Sequence, residues 1–283
     1  MKCMLVHQIA RPLGDTPVRV LLIGQNSLLA RATRAISSLD LLIDSVSHST
    51  PLSEIAFDAY DVVLNMAYAP SYMRASYEEA TDFDLKVAQH VAASNSFYVM
   101  ISTRRVYGPA EAFSLTEDRI PSPVDHYGRN KLRTETTVQQ LLGSRCTILR
   151  VANVFSFEPG RHTFFGIALQ NLKENNQIVL DVSPFVARDF IHIKEFALIL
   201  RRVLVCRPPG LYNLGSGKAT EVGRIALWLI EGFGAGQLVI SSPVERDAFE
   251  LDMSKLLLKI GTLDHTMDIR GNCIDIGRTL RNG

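Results

Sequence analysis

Apolar runs closed by glycine or polar residues alternate along this chain with stretches of helical spacing. Val18-Arg19-Val20-Leu21-Leu22-Ile23 reads as a buried parallel strand ended by Gly24, after which Gln25-Asn26-Ser27 form a turn and residues 28–39 carry helical spacing. Strand, glycine turn and helix open a dinucleotide-binding unit, because a helix N-terminus offers N–H groups and the positive end of its dipole to a pyrophosphate. Gly24, Asn26, Ser27 and Leu28 are the candidate residues of that turn. A second strand is expected over residues 41–46 and a third over 61–68, joined by a link, 51–60, that is short for a crossover helix. Helical spacing returns over 78–93, with Leu85, Ala88, Val91 and Ala92 on one face. The run Phe97-Tyr98-Val99-Met100-Ile101 then reads as a buried strand carrying Ser102 and Thr103 at its carboxyl end. Further along, the pattern predicts a helix from Tyr127 to about residue 142 stopped by Gly143, a strand over 146–151 and a helix from Phe164 to about residue 173. A strand and turn over 210–217 and an amphipathic helix around 225–230 follow.

The predicted helix start places Tyr127 and Lys131 four residues apart, hence one above the other on the same face. A phenol, with an ordinary pKa near ~10, gives or takes a proton near neutrality only if a nearby cation favours its phenolate. Thr103, at a neighbouring strand end, can hydrogen-bond the same substrate oxygen. The three side chains make a proton-transfer site for a carbonyl/alcohol couple.

Composition narrows the setting. With 283 residues, 47% hydrophobic and 21% charged, and a net charge of +1, the chain describes an ordinary globular protein without the basic footprint of a nucleic-acid binder. No stretch is long enough to span a membrane. Cys3, Cys146, Cys206 and Cys273 show no C-x-x-C pairing, so neither a metal site nor a disulfide framework is expected. The first 14 residues are too weakly apolar for a secretory signal, and a reducing cytoplasm is the expected compartment.

The segment Ile-Ser-Thr-Arg-Arg-Val-Tyr-Gly, Ile101 to Gly108, resembles the "SS/T-x-x-VYG" strand end of the extended short-chain dehydrogenases/reductases, a superfamily of nucleotide-sugar epimerases, dehydratases and reductases. The resemblance implies an α/β fold: a Rossmann-type doubly wound parallel sheet, mainly residues 1–155, with a smaller C-terminal substrate-binding lobe, mainly 156–283, interleaved with the last strands. It makes Thr103, Tyr127 and Lys131 the catalytic trio, with Ser102, Tyr127 and Lys131 also against the cofactor. The family's G-x-x-G-x-x-G turn is similar to Gly24, Ser27 and Ala30 here. Asp61 to Ala67 resembles "D-V-V-x-N-x-A", which implies cofactor contacts from Asn65, Met66 and Ala67, although Asn65 can equally just end a strand. Leu149 to Ser156 resembles "LR-x-x-N-V-Y/F-G", with Asn153 at the substrate cleft and Ser156 where glycine is usual. Phe165 is implied in the pocket wall. Arg188 to Ile193 is similar to "R-D-F/Y-I-H-V", in which Arg188 would meet the substrate diphosphate while Asp189 and His192 stitch the lobe to the sheet. Arg246, in a terminal element resembling "R-x-x-x-x-L-D-x-S-K-L", is either a second phosphate contact or a solvated surface residue.

Within the superfamily, the short 51–60 link resembles reductases of the dTDP-4-dehydrorhamnose reductase type. The resemblance then implies NAD(P)H-dependent reduction of a nucleotide-linked 4-keto-6-deoxysugar, with Tyr127 as proton donor. The alternatives are a 4-epimerase that retains its NAD and a non-catalytic cofactor-sensing regulator, which typically loses the Tyr or Lys kept here. A 4,6-dehydratase would need Asp-Glu where Arg104-Arg105 stand. Arg104 either meets substrate phosphate or an acidic sugar, or points to solvent. NAD against NADP stays open: Asp44 has the offset of a ribose-binding acid, but Ser47-His48-Ser49-Thr50 also compete for the strand end. The helices over 78–93 and 127–142 would form a four-helix interface in a homodimer. Surface polysaccharide synthesis is the usual setting of such reductases.

Overall fold

The computed structural model describes residues 16–109, 114–263 and 267–283; Cys3 and the leading segment lie outside the described residues. In the first half, β1 (Val18–Ile23), α1 (Leu28–Arg34), β2 (Leu41–Val46), β3 (Val62–Asn65), α2 (Phe83–Ala92) and β4 (Phe97–Thr103) alternate. Then come β5 (Ser114–Leu115), α3 (His126–Leu142), β6 (Cys146–Val151), β7 (Asn153–Phe155), α4 (Phe164–Asn175), β8 (Gln177–Leu180), β9 (Ala187–His192) and α5 (Ile193–Cys206). The chain continues through β10 (Gly210–Leu214), β11 (Ala219–Glu221), α6 (Val222–Phe233), β12 (Gln237–Ile240), β13 (Glu250–Leu251), α7 (Ser254–Ile260) and α8 (Ile269–Asn282).

Strands whose side chains are apolar on both sides can be buried only if both faces of their sheet are covered. β3 and β6 are buried at every position, and they sit inside a six-stranded parallel sheet of order β10-β6-β4-β3-β1-β2. One face carries Val20, Leu22 and Leu64 against Ala30 of α1 and Phe196, Leu200 and Val203 of α5. The other carries Leu21, Val63 and Met100 against Val87 and Val91 of α2 and Val138 of α3. Helices on both faces make the sheet doubly wound, and the order reverses between β1 and β3, where such folds open a crevice at the strands' carboxyl ends. A second core, with Phe165 and Leu169 of α4, Ile225 and Leu229 of α6, and Cys273 and Ile276 of α8, builds the smaller lobe. The lobe does not detach, because β10 returns to the main sheet in register with β6, Gly210 opposite Thr147.

Several expected boundaries move for local reasons. α1 stops at Arg34 instead of running to 39, because Ser37 and Ser38 turn their hydroxyls to the Leu41 carbonyl and the Asp40 carboxylate. The helix expected from 78 begins as a 3₁₀ turn, Glu79–Thr81; α2 starts at Phe83 because the Asp82 carboxylate caps it through the Leu85 N–H. β3 ends at Asn65, whose side-chain oxygen accepts from the Ala67 N–H and folds the chain back. Two 3₁₀ turns, Leu52–Glu54 and Phe57–Ala59, fill the link to β3 in place of a crossover helix. Among the described residues no helix is long and apolar enough to cross a membrane, and no cluster of His, Cys, Asp and Glu could hold a metal ion.

Candidate active site

β4 delivers Thr103 to the crevice, and α3 brings Tyr127 up beside it. The helix is started by Asp125, which accepts from the Gly128 N–H at 2.8 Å and pairs with Arg105 at 2.7 Å. Gly128 is needed for the approach: a Cβ there would lie 2.6 Å from the Arg105 carbonyl oxygen. Arg105 lies 5.7 Å from the centre of the Tyr127 ring, and Tyr68 and Tyr72 flank that ring at 6.5 and 6.4 Å. Burial pushes the Tyr127 phenol above its ordinary value; Lys131 and Arg105 pull the other way, and Tyr68 and Asp84 add to the rise. The expectation that Lys131 drives the phenol below its ordinary value is therefore corrected: the cation opposes desolvation without overcoming it.

Lys131 is buried and paired. Its ammonium donates to Asp84 Oδ2 at 2.7 Å and to the Ile101 carbonyl at 2.9 Å. Desolvation works against the charge, but Asp84, with Tyr127 and Tyr72, holds the ammonium above its ordinary value. One turn further along α3, Glu135 binds Arg150 at 2.7 Å and takes a hydrogen bond from Ser102 at 2.5 Å. Tyr127, Lys131 and Glu135 thus form one inward row, in which the last two are each neutralised by a buried partner.

A cavity of about 340 Å³ opens at the carboxyl ends of β4 and β6. Thr103, Tyr127, Arg104, Asn153, Phe165 and Arg188 all line it, as do Ser102 and Leu28, two of the residues expected at the cofactor. The Phe165 ring stacks on Phe155 at 4.4 Å and fixes the apolar wall. Arg104 does not face solvent: both of its terminal nitrogens bond the Asp247 carboxylate.

Three expected contacts are placed differently. The Asn65 amide is only 2% exposed and is engaged by Asp84 and by the backbone of Ala67, so its side chain is turned inward. Met66 is buried against Thr33. Arg246 stands outside the cavity lining and pairs with Asp181 on the surface at 2.8 Å. Asp44 lies within the edge strand β2, exposed and 4.0 Å from Arg19, so Val46 and the polar run after it occupy the strand end.

The β1–α1 turn is built tightly around a glycine. Gly24 adopts φ 92°, and a Cβ there would come within 2.8 Å of the Ala67 nitrogen, so only glycine fits between the ends of β1 and β3. Ser27 caps α1 through the Ala30 N–H at 3.1 Å, which gives the second small position a use that glycine lacks. Ala30 is fully buried against the sheet, and its small size permits that packing.

Residues 52–187 match the RmlD substrate binding domain. Two solved structures superpose over nearly the whole chain. The RMD of Pseudomonas aeruginosa, complexed with NADPH, has a TM-score of 0.78 at 18% identity, covering 94% of this chain and 99% of that one. The dTDP-4-dehydrorhamnose reductase of Yersinia enterocolitica has a TM-score of 0.73 at 18% identity, covering 93% and 99%. These superpositions show that the chain shares the fold of both proteins. A UDP-glucose 4-epimerase of Azospirillum brasilense is 30% identical over 159 residues, 48% of this chain and 46% of that relative's length, so the match spans about half of it.

Against the family pattern of extended short-chain dehydrogenases/reductases, reading motifs missed Asp84, Glu135, Asp247, Glu158 and Arg161. Glu158 and Arg161 line the cavity and pair at 2.5 Å, and Glu158 also reaches Arg31 of α1 at 3.1 Å, linking lobe to sheet. Asp84 did carry a signal. It falls on the α2 stripe with Ala88 and Val91, and a carboxylate at a core position needs a buried partner.

Proposed function

We propose that this chain reduces a nucleotide-linked 4-keto-6-deoxysugar, with NADH or NADPH as the hydride source and Tyr127 as the proton donor. The observation that carries the reading is a single cavity lined by Thr103, Tyr127, Asn153 and Arg188, whose phenol burial keeps in the protonated form. Gly24, Asn26, Ser27, Leu28 and the Ala67 backbone would hold the dinucleotide, with Lys131 at the nicotinamide ribose; when bound, the cofactor supplies hydride. The Thr103 hydroxyl orients the substrate carbonyl, and Tyr127 gives its proton to that oxygen. Lys131 then compensates the phenolate left behind. Arg188 offers its guanidinium to the diphosphate, a group suited to a fork of donors.

One observation favours a 4-epimerase as the second reading: the 30% identity to the UDP-glucose 4-epimerase. The two separate in one experiment. Purified protein is denatured and assayed for released NAD(H) or NADP(H), and then followed by nicotinamide absorbance with a panel of nucleotide-linked 4-keto-6-deoxysugars. Stoichiometric consumption of added NADPH or NADH supports the reductase; retained cofactor with interconversion and no net oxidation replaces it with the epimerase. The same reading carries a homodimer through α2 and α3, which share one face of the sheet, and sedimentation tests it.

A further inference from the structure

We infer that Asp84 is a positioning residue for the reaction, acting through Lys131 by fixing its ammonium with a buried ion pair. The inference rests on the functional reading above. Asp84 itself is held from two strands: Oδ1 accepts from the Tyr98 hydroxyl of β4 and from the Asn65 amide of β3, both at 2.7 Å. Oδ2 remains for Lys131, at 2.7 Å. The side chains of Lys131 and Asp84 are 5% and 4% exposed, so water does not compete for either charge.

An ammonium has three N–H donors in tetrahedral arrangement. Asp84 takes one and the Ile101 carbonyl takes a second, which together fix the direction of the third. A lysine on a free four-carbon stem has no such preference, and rotamer entropy would spread its charge over several positions. Asp84 therefore decides where the positive charge stands relative to Tyr127 and the nicotinamide ribose. Its own negative charge also weakens the pull of Lys131 on the phenol, which keeps Tyr127 a donor and not a base.

The neighbouring carboxylate shows the contrast. Asp82, two residues earlier, caps the Leu85 N–H and takes hydrogen bonds from the Thr134 and Tyr77 hydroxyls, bonds that hold the helix in place.

The test is a double-mutant cycle in the full-length protein with Asp84→Asn, Lys131→Met and both together. Affinity for NADPH and NADH is read by nicotinamide fluorescence, and kcat and KM by turnover. In Asp84→Asn the amide NH₂ faces the ammonium, and we expect cofactor affinity to fall about tenfold and kcat about a hundredfold. Lys131→Met should lose as much, and the double variant should be no worse than Lys131→Met and should melt above Asp84→Asn. If Asp84→Asn does not fold, Asp84→Glu, which shifts the carboxylate by one methylene, takes its place in the cycle. Losses that multiply in the double variant would mean that Asp84 supports the cleft independently of Lys131, and wild-type constants in the single variant would likewise overturn the proposal. A wild-type protein that binds neither NADPH nor NADH overturns the functional reading together with this one; wild-type binding and turnover with a multiplicative cycle sinks the Asp84 inference alone.

Discussion

Arg104 and Asp247 meet fork to fork, with each terminal nitrogen 2.5 Å from its own carboxylate oxygen, across 143 residues of chain. Arg104 also lies over the Phe249 ring at 4.1 Å, and Arg188 donates to the carbonyls of Asp247 and Arg246 at 3.2 and 3.4 Å. Two cavity-lining arginines thus hold one short segment beside the substrate space. A bidentate, partly buried pair of this kind contributes about 1–2 kcal/mol. Arg104→Ala and Asp247→Ala are each expected to raise KM for the nucleotide sugar about five- to tenfold with a smaller change in kcat. Because both break the same fork, the double variant should match the worse single one; steady-state kinetics that multiply instead would assign Arg104 a separate role.

Tyr127→Phe keeps the ring and removes only the proton that the proposed reduction draws on. Turnover is expected to fall by about a thousandfold, as for loss of a general acid, while NAD(P)H affinity and melting temperature hold. The pH dependence has a definite sign. Burial raises the phenol pKa, so the donor form persists through neutrality, and the rate of ketone reduction should fall only on the alkaline side. Oxidation of the product alcohol needs the phenolate and should rise with pH over the same limb. Near wild-type activity in Tyr127→Phe would remove this residue from the mechanism.

Much of the fold was legible because continuous apolar runs are a local property. β2, β6 and the strand leading to Thr103 lie where the hydrophobic pattern put them, and Gly143 ends α3 as expected, at φ 55°. That Tyr127 and Lys131 share one face of α3 was legible for the same reason, because helix geometry alone relates positions four apart. The partners were not. Asp84 lies 47 residues before Lys131, and Asp247 lies 143 after Arg104, separations at which no periodicity couples two positions. The resemblance to "D-V-V-x-N-x-A" implied a cofactor contact for Asn65 and left strand-ending open; a buried amide follows its hydrogen bonds, and Asp84 and Ala67 supply them.

Glu135 and Arg150 form an ion pair whose side chains are 5% and 3% exposed, directly beneath Ser102. Removing one partner of such a pair strands the other charge out of water, at a cost of about 3–5 kcal/mol. Glu135→Ala is therefore expected to lower stability by that amount in urea unfolding, with Arg150→Met close behind. The pair Glu135→Leu with Arg150→Met should recover most of the loss, because two apolar groups leave no orphaned charge. A Glu135→Ala variant within about 1 kcal/mol of wild type would show that the site admits water.

His192 ends β9 and caps α5, and its Nδ1 accepts from the Lys194 N–H at 3.4 Å, a role open only to the neutral ring. Burial, reinforced by Lys194, pushes its pKa down to about 4 from an ordinary 6.5. An unfolded chain takes up the proton first, so the neutral ring contributes its full stability above pH 6.5 and that contribution drains away as pH falls toward 4. Over that window the loss amounts to about 3 kcal/mol. Buried carboxyls such as Asp82 and Asp189 are raised and act in the opposite direction, so the total slope of wild type does not isolate the histidine. His192→Asn does: asparagine also caps helices, and it carries no proton in this range. Urea unfolding from pH 8 to pH 4 should show wild type losing stability relative to His192→Asn on acidification. Parallel curves for the two proteins would mean that His192 gains its proton as readily folded as unfolded, and that the ring is not held neutral at the end of β9.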